Sequence, residues 1–274
     1  MNSLKKVIIT IPIYKASLTI REKASLSQLF KVLGNHPIHL FTFIELELNE
    51  YEILLEDKEF KITYFDKTYF KNTSSYSKLL LSFKFYDSFR NYKYILIYQL
   101  DAWVFRDELE YWCSKNFDYI GAPWFSNENK KQELSSFYGI GNGGLSLRKT
   151  SSHLKALNNF FLLKSFGSLL TNFIKGRIGF TSLKNLFPDL TVRNVSHAIF
   201  TPFQVINEDV FWSYLAKRKF SWYRVPNMLE AAKFSFEINA ELLFNANNEE
   251  LPFGCHAWEI YDYDFWKNHI NIII

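Results

Sequence analysis

Three acids and one histidine stand where they could act on a charged ligand. Asp101 ends the string YQLD, directly after the apolar run 94–98. An acid at the carboxyl end of a buried strand lies on the rim of the ligand crevice in an α/β sheet, and its oxygens suit a hard cation such as Mg2+ or Mn2+. The same residue could instead cap a following turn. Asn207, Glu208 and Asp209 form an NED triplet at the start of a helix whose Val210, Phe211 and Tyr214 share a face. The helix dipole favours acids there with or without chemistry. His256 stands among aromatics in the string FGCHAW, a setting in which a lone histidine is more often structural than a ligand. The string GIGNGG at 139–144 puts four glycines into six residues just ahead of a strand. Such a loop lets backbone amides approach a ligand, or simply turns tightly. It lacks the following helix that dinucleotide and P-loop fingerprints require.

The elements that must position these residues alternate along the chain. Residues 7–13 read as a buried strand, a short β-branched run closed by proline. Residues 18–33 follow as a helix, with Leu26, Leu29, Phe30 and Leu33 at helical spacing. Strands are expected at 39–44 and 61–65, and a single helix over 76–89 carries Leu79, Leu80, Phe83, Tyr86 and Phe89. Residues 94–98 give the strongest strand signal, and 119–124 and 144–148 two further strands around a polar loop at 126–136. This alternation predicts a mostly parallel sheet wrapped by helices, with its crevice at the carboxyl ends of the strands.

Composition narrows the possibilities. The 274 residues, 48% of them hydrophobic, suit one large α/β domain. A net charge of +4, from 32 basic against 28 acidic residues, is too balanced for a nucleic-acid binder and fits a small anionic substrate or a membrane surface better. Cys113 and Cys255 form no C-x-x-C pair, which excludes a disulfide framework and a cysteine metal site and points to a reducing compartment. The run 7–13 is too short and too early for a signal peptide, and no stretch reaches the roughly 18 apolar residues of a membrane span. A cytoplasmic protein is therefore expected, at most touching the inner face of the membrane. Between Leu134 and Pro188 there is no acid, while Arg148, Lys149, Lys155, Lys164, Lys175, Arg177 and Lys184 are basic. Residues 157–174 within this stretch can form a basic amphipathic helix that lies on an anionic bilayer or, equally, packs in the core with a solvated edge.

In order and spacing, the four chemical features resemble the GT-A glycosyltransferases, in which a D-x-D metal motif, a glycine-rich loop, an x-E-D motif and a C-terminal histidine follow one another. Gln99 to Asp101, Asn142 to Gly144, Asn207 to Asp209 and His256 fill those places. The strings YQLDAWVF, DYIGAPW, GNGGLSLRK, NEDVFW and PFGCHAW are similar to a bacterial glycosyltransferase-related family long catalogued as a domain of unknown function, over about residues 7–260.

The resemblance implies a GT-A-like, Rossmann-like single domain spanning 1–274. About 1–125 would be its nucleotide-binding half, and about 126–274 its acceptor half with a C-terminal metal-binding segment. It implies Mn2+ or Mg2+ on Asp101 and His256, and a nucleotide-sugar donor, UDP-linked, contacted by Pro12, Tyr14, Tyr76, Lys78, Gln99, Asn142, Gly143 and Gly144. Asp209 would be the general base, with Glu208 orienting the acceptor or supporting the loop, and a base opposite the leaving group implies inversion. The acceptor would be a glycan or a lipid-linked sugar of bacterial surface polysaccharide such as capsule or O-antigen, and the 19% aromatic content suits stacking on sugar rings. One departure stands out: Gln99 replaces the first acid of the metal motif, which leaves Asp101, His256 and the donor's own diphosphate oxygens, or a variant without metal. A sugar-nucleotide or glycan-binding protein without turnover, and a metal-dependent nucleotidyltransferase or phosphohydrolase, are the competing classes.

Overall fold

β1 (Lys5–Pro12) and β4 (Tyr92–Tyr98) form the middle of the sheet, and their sequences show why. Both are apolar on both faces, as central strands covered by helices must be. In this computed structural model, which describes residues 5–125, 134, 137–159 and 207–272, alternate side chains feed two separate cores. Val7, Ile9 and Ile11 of β1, with Tyr94, Leu96 and Tyr98 of β4, pack on one face; Ile8, Ile95 and Ile97 pack on the other. That is the two-residue period of a strand.

Between them in the chain come α1 (Ile20–Leu33), β2 (Ile38–Thr42), α2 (Asn49–Leu54), β3 (Lys61–Tyr64), α3 (Thr73–Leu80) and α4 (Phe83–Ser88). α1 starts at a capping box in which Thr19 and Glu22 satisfy each other's backbone N–H, and it buries Leu26, Leu29, Phe30 and Leu33 against the first core. Burying such side chains contributes about 1.5–3 kcal/mol each. The helix expected over 76–89 is two helices. Ser82 ends the first by donating to the Leu79 carbonyl and starts the second by accepting from Phe85 N–H, a local device that outweighs the continuous apolar stripe.

Beyond β4 the chain gives β5 (Ala102–Val104), α5 (Leu109–Ser114), β6 (Tyr119–Ile120), β7 (Pro123–Phe125), β8 (Phe137–Ile140), β9 (Leu145–Lys149) and α6 (Thr150–Asn159). α7 (Glu208–Val210) runs on as a π-helical turn, Phe211–Ala216, before α8 (Met228–Phe234), β10 (Ser235–Phe236), α9 (Ala240–Ala246), β11 (Gly254–His256) and α10 (Tyr263–Trp266). The main sheet has the order β3-β2-β1-β4-β9-β6. Its first four strands are parallel, and β9 is antiparallel to both β4 and β6. It is a mixed α/β fold with a mostly parallel central sheet, α1, α2 and α5 on one face and α3, α4, α6 and the π turn on the other, as expected of a GT-A-like chain. The strand expected at 119–124 is divided, because the chain changes partner at Gly121: β6 pairs with β9, whereas β7 pairs with β8. A smaller sheet, β10-β11-β5, carries a third core of Trp103, Phe236, Cys255, Trp258 and Trp266. Both cysteines are buried and free. Among the described residues no helix is long and apolar enough to cross a membrane. Of the amphipathic segment 157–174 only 157–159 lie within the described residues, and most of the loop 126–136 lies outside them.

Candidate functional site

The turn that follows β4 sets Asp101. Ala102 N–H bonds to the Gln99 carbonyl at 2.9 Å, closing a four-residue turn, and Ser25 of α1 and the Tyr98 hydroxyl both donate to the Ala102 carbonyl, at 2.6 and 2.9 Å. The turn is thus fastened to the helix packed beneath it. β5 continues from the turn into the small sheet, where His256 of β11 is the register partner of Ala102. Asp101 and His256 are therefore brought together by an antiparallel pairing. His256 Nε2 lies 3.1 Å from Asp101 Oδ1 and 3.2 Å from Gln99 Oε1, and its Nδ1 lies 3.3 Å from Glu237 Oε1. Burial opposes charge on the imidazole, but Asp101 and Glu237 outweigh it and hold His256 up at about 10. Burial raises Asp101 and the His256 charge more than reverses that, so its carboxyl sits below its ordinary value.

The glycine loop is held against this pair. β9 runs antiparallel to β4 with Leu145 opposite Tyr98, and Gln99 N–H bonds to the Gly144 carbonyl at 2.8 Å. Asn142 takes the left-handed conformation at φ 56°, and its side-chain Oδ1 accepts from Gly144 N–H at 2.9 Å, so the amide braces the loop. A Cβ on Gly144 would stand 1.9 Å from His256 Nε2, and one on Gly143 would stand 2.1 Å from Glu208 Oε1. Both positions admit only glycine because the His256 and Glu208 side chains lie on the backbone itself.

Glu208 is buried and faces Arg148 of β9, whose side chain is fully buried. Arg148 Nη2 donates to Oε1 at 2.8 Å, and Nη1 stands 2.8 Å from Oε2 as an ion contact without hydrogen-bond alignment. Burial pushes the Glu208 carboxyl up, and the guanidinium pulls against it. Arg148 also reaches the Tyr86 hydroxyl and Ser146 Oγ, at 3.2 and 3.0 Å. Read in the sequence as part of a basic stretch, Arg148 is an interior strut. Asp209, half-buried, accepts from Val210 N–H at 2.7 Å. Burial holds its carboxyl above the ordinary range against the N–H groups of Val210 and Gly143, and the charge of Glu237 adds to the rise. Asp209 follows Glu208, whose carboxylate lies against Gly143 of the glycine loop.

The remaining expected contacts lie at the end of β1 and on α3. Pro12 is buried at the end of β1. Tyr14, 58% exposed, has its hydroxyl pKa raised by burial and then by Glu22 and Asp101, which puts it within range of both charges. The Tyr76 ring stacks on Phe41 at 6.2 Å, and its buried hydroxyl lies beside Gln99 without completing a hydrogen bond. Lys78 is exposed on α3. Two residues were not legible as site members: Arg148, and Glu237, which follows β10. β10 pairs in parallel with β11, Phe236 opposite Cys255, so one further step brings Glu237 alongside His256. The described residues contain no group of three His, Cys, Asp or Glu arranged to hold a metal ion. Asp101 Oδ1, His256 Nε2 and Gln99 Oε1 converge, one carboxylate, one imidazole and one amide oxygen, and Glu237 occupies the opposite edge of the ring.

Several solved structures are similar to the chain. Core-mannan synthase A from Aspergillus fumigatus, in a Mn/GDP form, has 9% identity and a TM-score of 0.40, and the match covers 54% of this chain and 60% of that one. A glycosyltransferase involved in glycosylation of the major capsid of PBCV-1 has 9% identity and a TM-score of 0.43, covering 96% and 98%. The apo-form glycosyltransferase GlyE of Streptococcus pneumoniae TIGR4 has 11% identity and a TM-score of 0.48, covering 98% and 61%. No curated protein sequence matches. Residues 59–256, from just before β3 to His256, match the family described as protein of unknown function DUF5672, and the chain belongs to that family.

Proposed function

We propose that the protein is a glycosyltransferase that moves a sugar from a nucleotide-sugar donor, UDP-linked, to a glycan or lipid-linked acceptor of bacterial surface polysaccharide, with inversion. The observation that carries this reading is the convergence of Asp101, His256 and the Glu208–Asp209 pair on one glycine loop from three distant parts of the chain, with Glu208 against Gly143 and His256 against Gly144. The order of the motifs supports it, as does the position of the rim at the carboxyl ends of parallel strands.

On this reading Asp101 and His256, with Gln99 as a neutral third donor, hold Mn2+ or Mg2+ together with the donor's diphosphate. The donor set fits a hard or borderline cation, and the single formal charge on the protein side fits one that arrives with the nucleotide. When bound, the cation supplies positive charge to the leaving diphosphate. The backbone at Asn142, Gly143 and Gly144 lines the sugar's place, and Tyr14, Pro12, Tyr76 and Lys78 contact the nucleotide. Asp209 takes the proton of the acceptor hydroxyl while that oxygen bonds to the anomeric carbon and the bond to the diphosphate breaks. A carboxyl lifted by burial has a basicity closer to that task than an exposed one. Glu208, engaged by Arg148, supports the loop. A nucleotide half at about 1–125 and an acceptor half at about 126–274, a cytoplasmic location and a membrane contact through 157–174 belong to the same proposal.

Titrating UDP into wild type and Asp101→Ala, each with and without Mn2+, tests the donor site. Tight binding only for wild type with Mn2+ is the expected result, and equal affinity in all four combinations refutes the cation role.

A further inference from the structure

We propose that Glu237 is the positioning residue of the cation site: it holds His256 by Nδ1 and so commits Nε2 to the face shared with Asp101 and Gln99. The inference rests on reading Asp101 and His256 as cation ligands. The two ring nitrogens have separate neighbours, Nδ1 with Glu237 Oε1 at 3.3 Å and Nε2 with Asp101 Oδ1 at 3.1 Å and Gln99 Oε1 at 3.2 Å. A neutral imidazole ligates through the nitrogen that carries no proton, and a carboxylate on the other N–H fixes the tautomer and the ring plane and strengthens the ligand.

The backbone makes this arrangement a consequence of the small sheet. Parallel pairing of β10 with β11 carries Glu237 to the side of His256, and antiparallel pairing of β11 with β5 carries Asp101 to its other side. The side chains of Glu237 and His256 are 15% and 11% exposed, so solvent competes little for the bond between them. Gly144 presents no Cβ to Nε2, which leaves that edge of the ring clear while Glu237 closes the other. Glu237 therefore acts through the histidine and not on the cation.

The test uses the full chain with Mn2+ and UDP, following free Mn2+ by electron paramagnetic resonance for wild type, Glu237→Ala and Glu237→Gln. Loss of a carboxylate that holds a ligating histidine typically weakens metal binding by about 10- to 100-fold, and that is the expected effect of Glu237→Ala. Glu237→Gln, whose amide oxygen still accepts from Nδ1–H, recovers much of it. Nitrogen-15 spectra of the imidazole with diamagnetic Mg2+ and UDP bound give a readout that general loss of packing does not reproduce: a slowly exchanging Nδ1–H signal of His256 is present in wild type and the Gln variant and is broadened away by exchange in the Ala variant. Equal Mn2+ affinity in folded wild type and Glu237→Ala overturns the role of Glu237. Absence of Mn2+ binding by wild type with UDP overturns the cation reading itself, and the inference with it.

Discussion

Glu208→Leu removes the carboxylate that pairs with the fully buried Arg148 guanidinium. Arg148 has no exposed side-chain surface, Glu208 has 5%, and both charge contacts between them measure 2.8 Å. Breaking such a pair from one side leaves an uncompensated buried charge, at a cost of about 3–5 kcal/mol. At about 2–4 °C per kcal/mol for a domain near this size, the melting temperature should fall by about 6–20 °C. The double variant Arg148→Met/Glu208→Leu removes both charges and keeps the volume. It should recover to within about 1 kcal/mol of wild type, because apolar replacement of a buried pair is often neutral. Urea unfolding of wild type, both single variants and the double variant forms a complete cycle. UDP binding with Mn2+ should remain weak in the double variant even where stability returns, since Gly143 has lost the carboxylate that lies against it. A single variant within about 1 kcal/mol of wild type, or a double variant as unstable as the sum of the singles, refutes the description of Arg148 and Glu208 as an interior strut.

Asp209→Asn keeps an oxygen for Val210 N–H but removes the base, so transfer should fall by about 10² to 10⁴-fold while the fold persists. Because burial raises Asp209 above its ordinary 3.8, its charge disfavours the folded state increasingly as pH rises past that value, and the Asn variant should melt higher than wild type at pH 7. The acid limb of the wild-type kcat/KM profile should likewise lie above the usual aspartate range, and a limb at or below 3.8 contradicts the assignment. Gly144→Ala, with its Cβ aimed 1.9 Å from His256 Nε2, should lose Mn2+-dependent UDP binding with little change in far-ultraviolet circular dichroism; unchanged binding shows that the loop yields. His256, raised from 6.5 to about 10, contributes stability fully present below pH 6.5 and lost as pH rises through about 10. Melting curves from pH 6 to 10 should therefore fall more steeply for wild type than for His256→Gln.

The parallel half of the fold is legible because its strands are apolar on both faces: 7–13 and 94–98 have no other reading, and the stripe Leu26, Leu29, Phe30, Leu33 admits only a helix. The break at Ser82 is not legible from the stripe, since Leu79, Leu80, Phe83 and Tyr86 continue it on both sides and the interruption lies in one hydroxyl bonding both ways. Asp101, His256 and the glycine loop stand out in the sequence by residue type and order, and the sheet joins Asp101 to His256 by pairing β5 with β11. Glu237 carries no such mark. Its place follows from β10 pairing with β11, a tertiary register that no local pattern of charges records. Arg148 misleads for the opposite reason: a basic residue in an acid-free stretch suggests solvent, and only the burial of Glu208 from far along the chain makes it an interior ion.

The central claim is that Asp101 and His256 serve transfer from a nucleotide sugar. Its most direct test incubates the protein with a panel of sugar nucleotides, a mixture of glycan and lipid-linked acceptors, and Mn2+, and measures released nucleoside diphosphate for wild type, Asp101→Ala and His256→Ala. The account predicts acceptor-stimulated release of UDP from one UDP-sugar by wild type, and loss of that release in both variants. Donor binding without release, release of pyrophosphate or sugar phosphate in place of UDP, or full release by Asp101→Ala contradicts it.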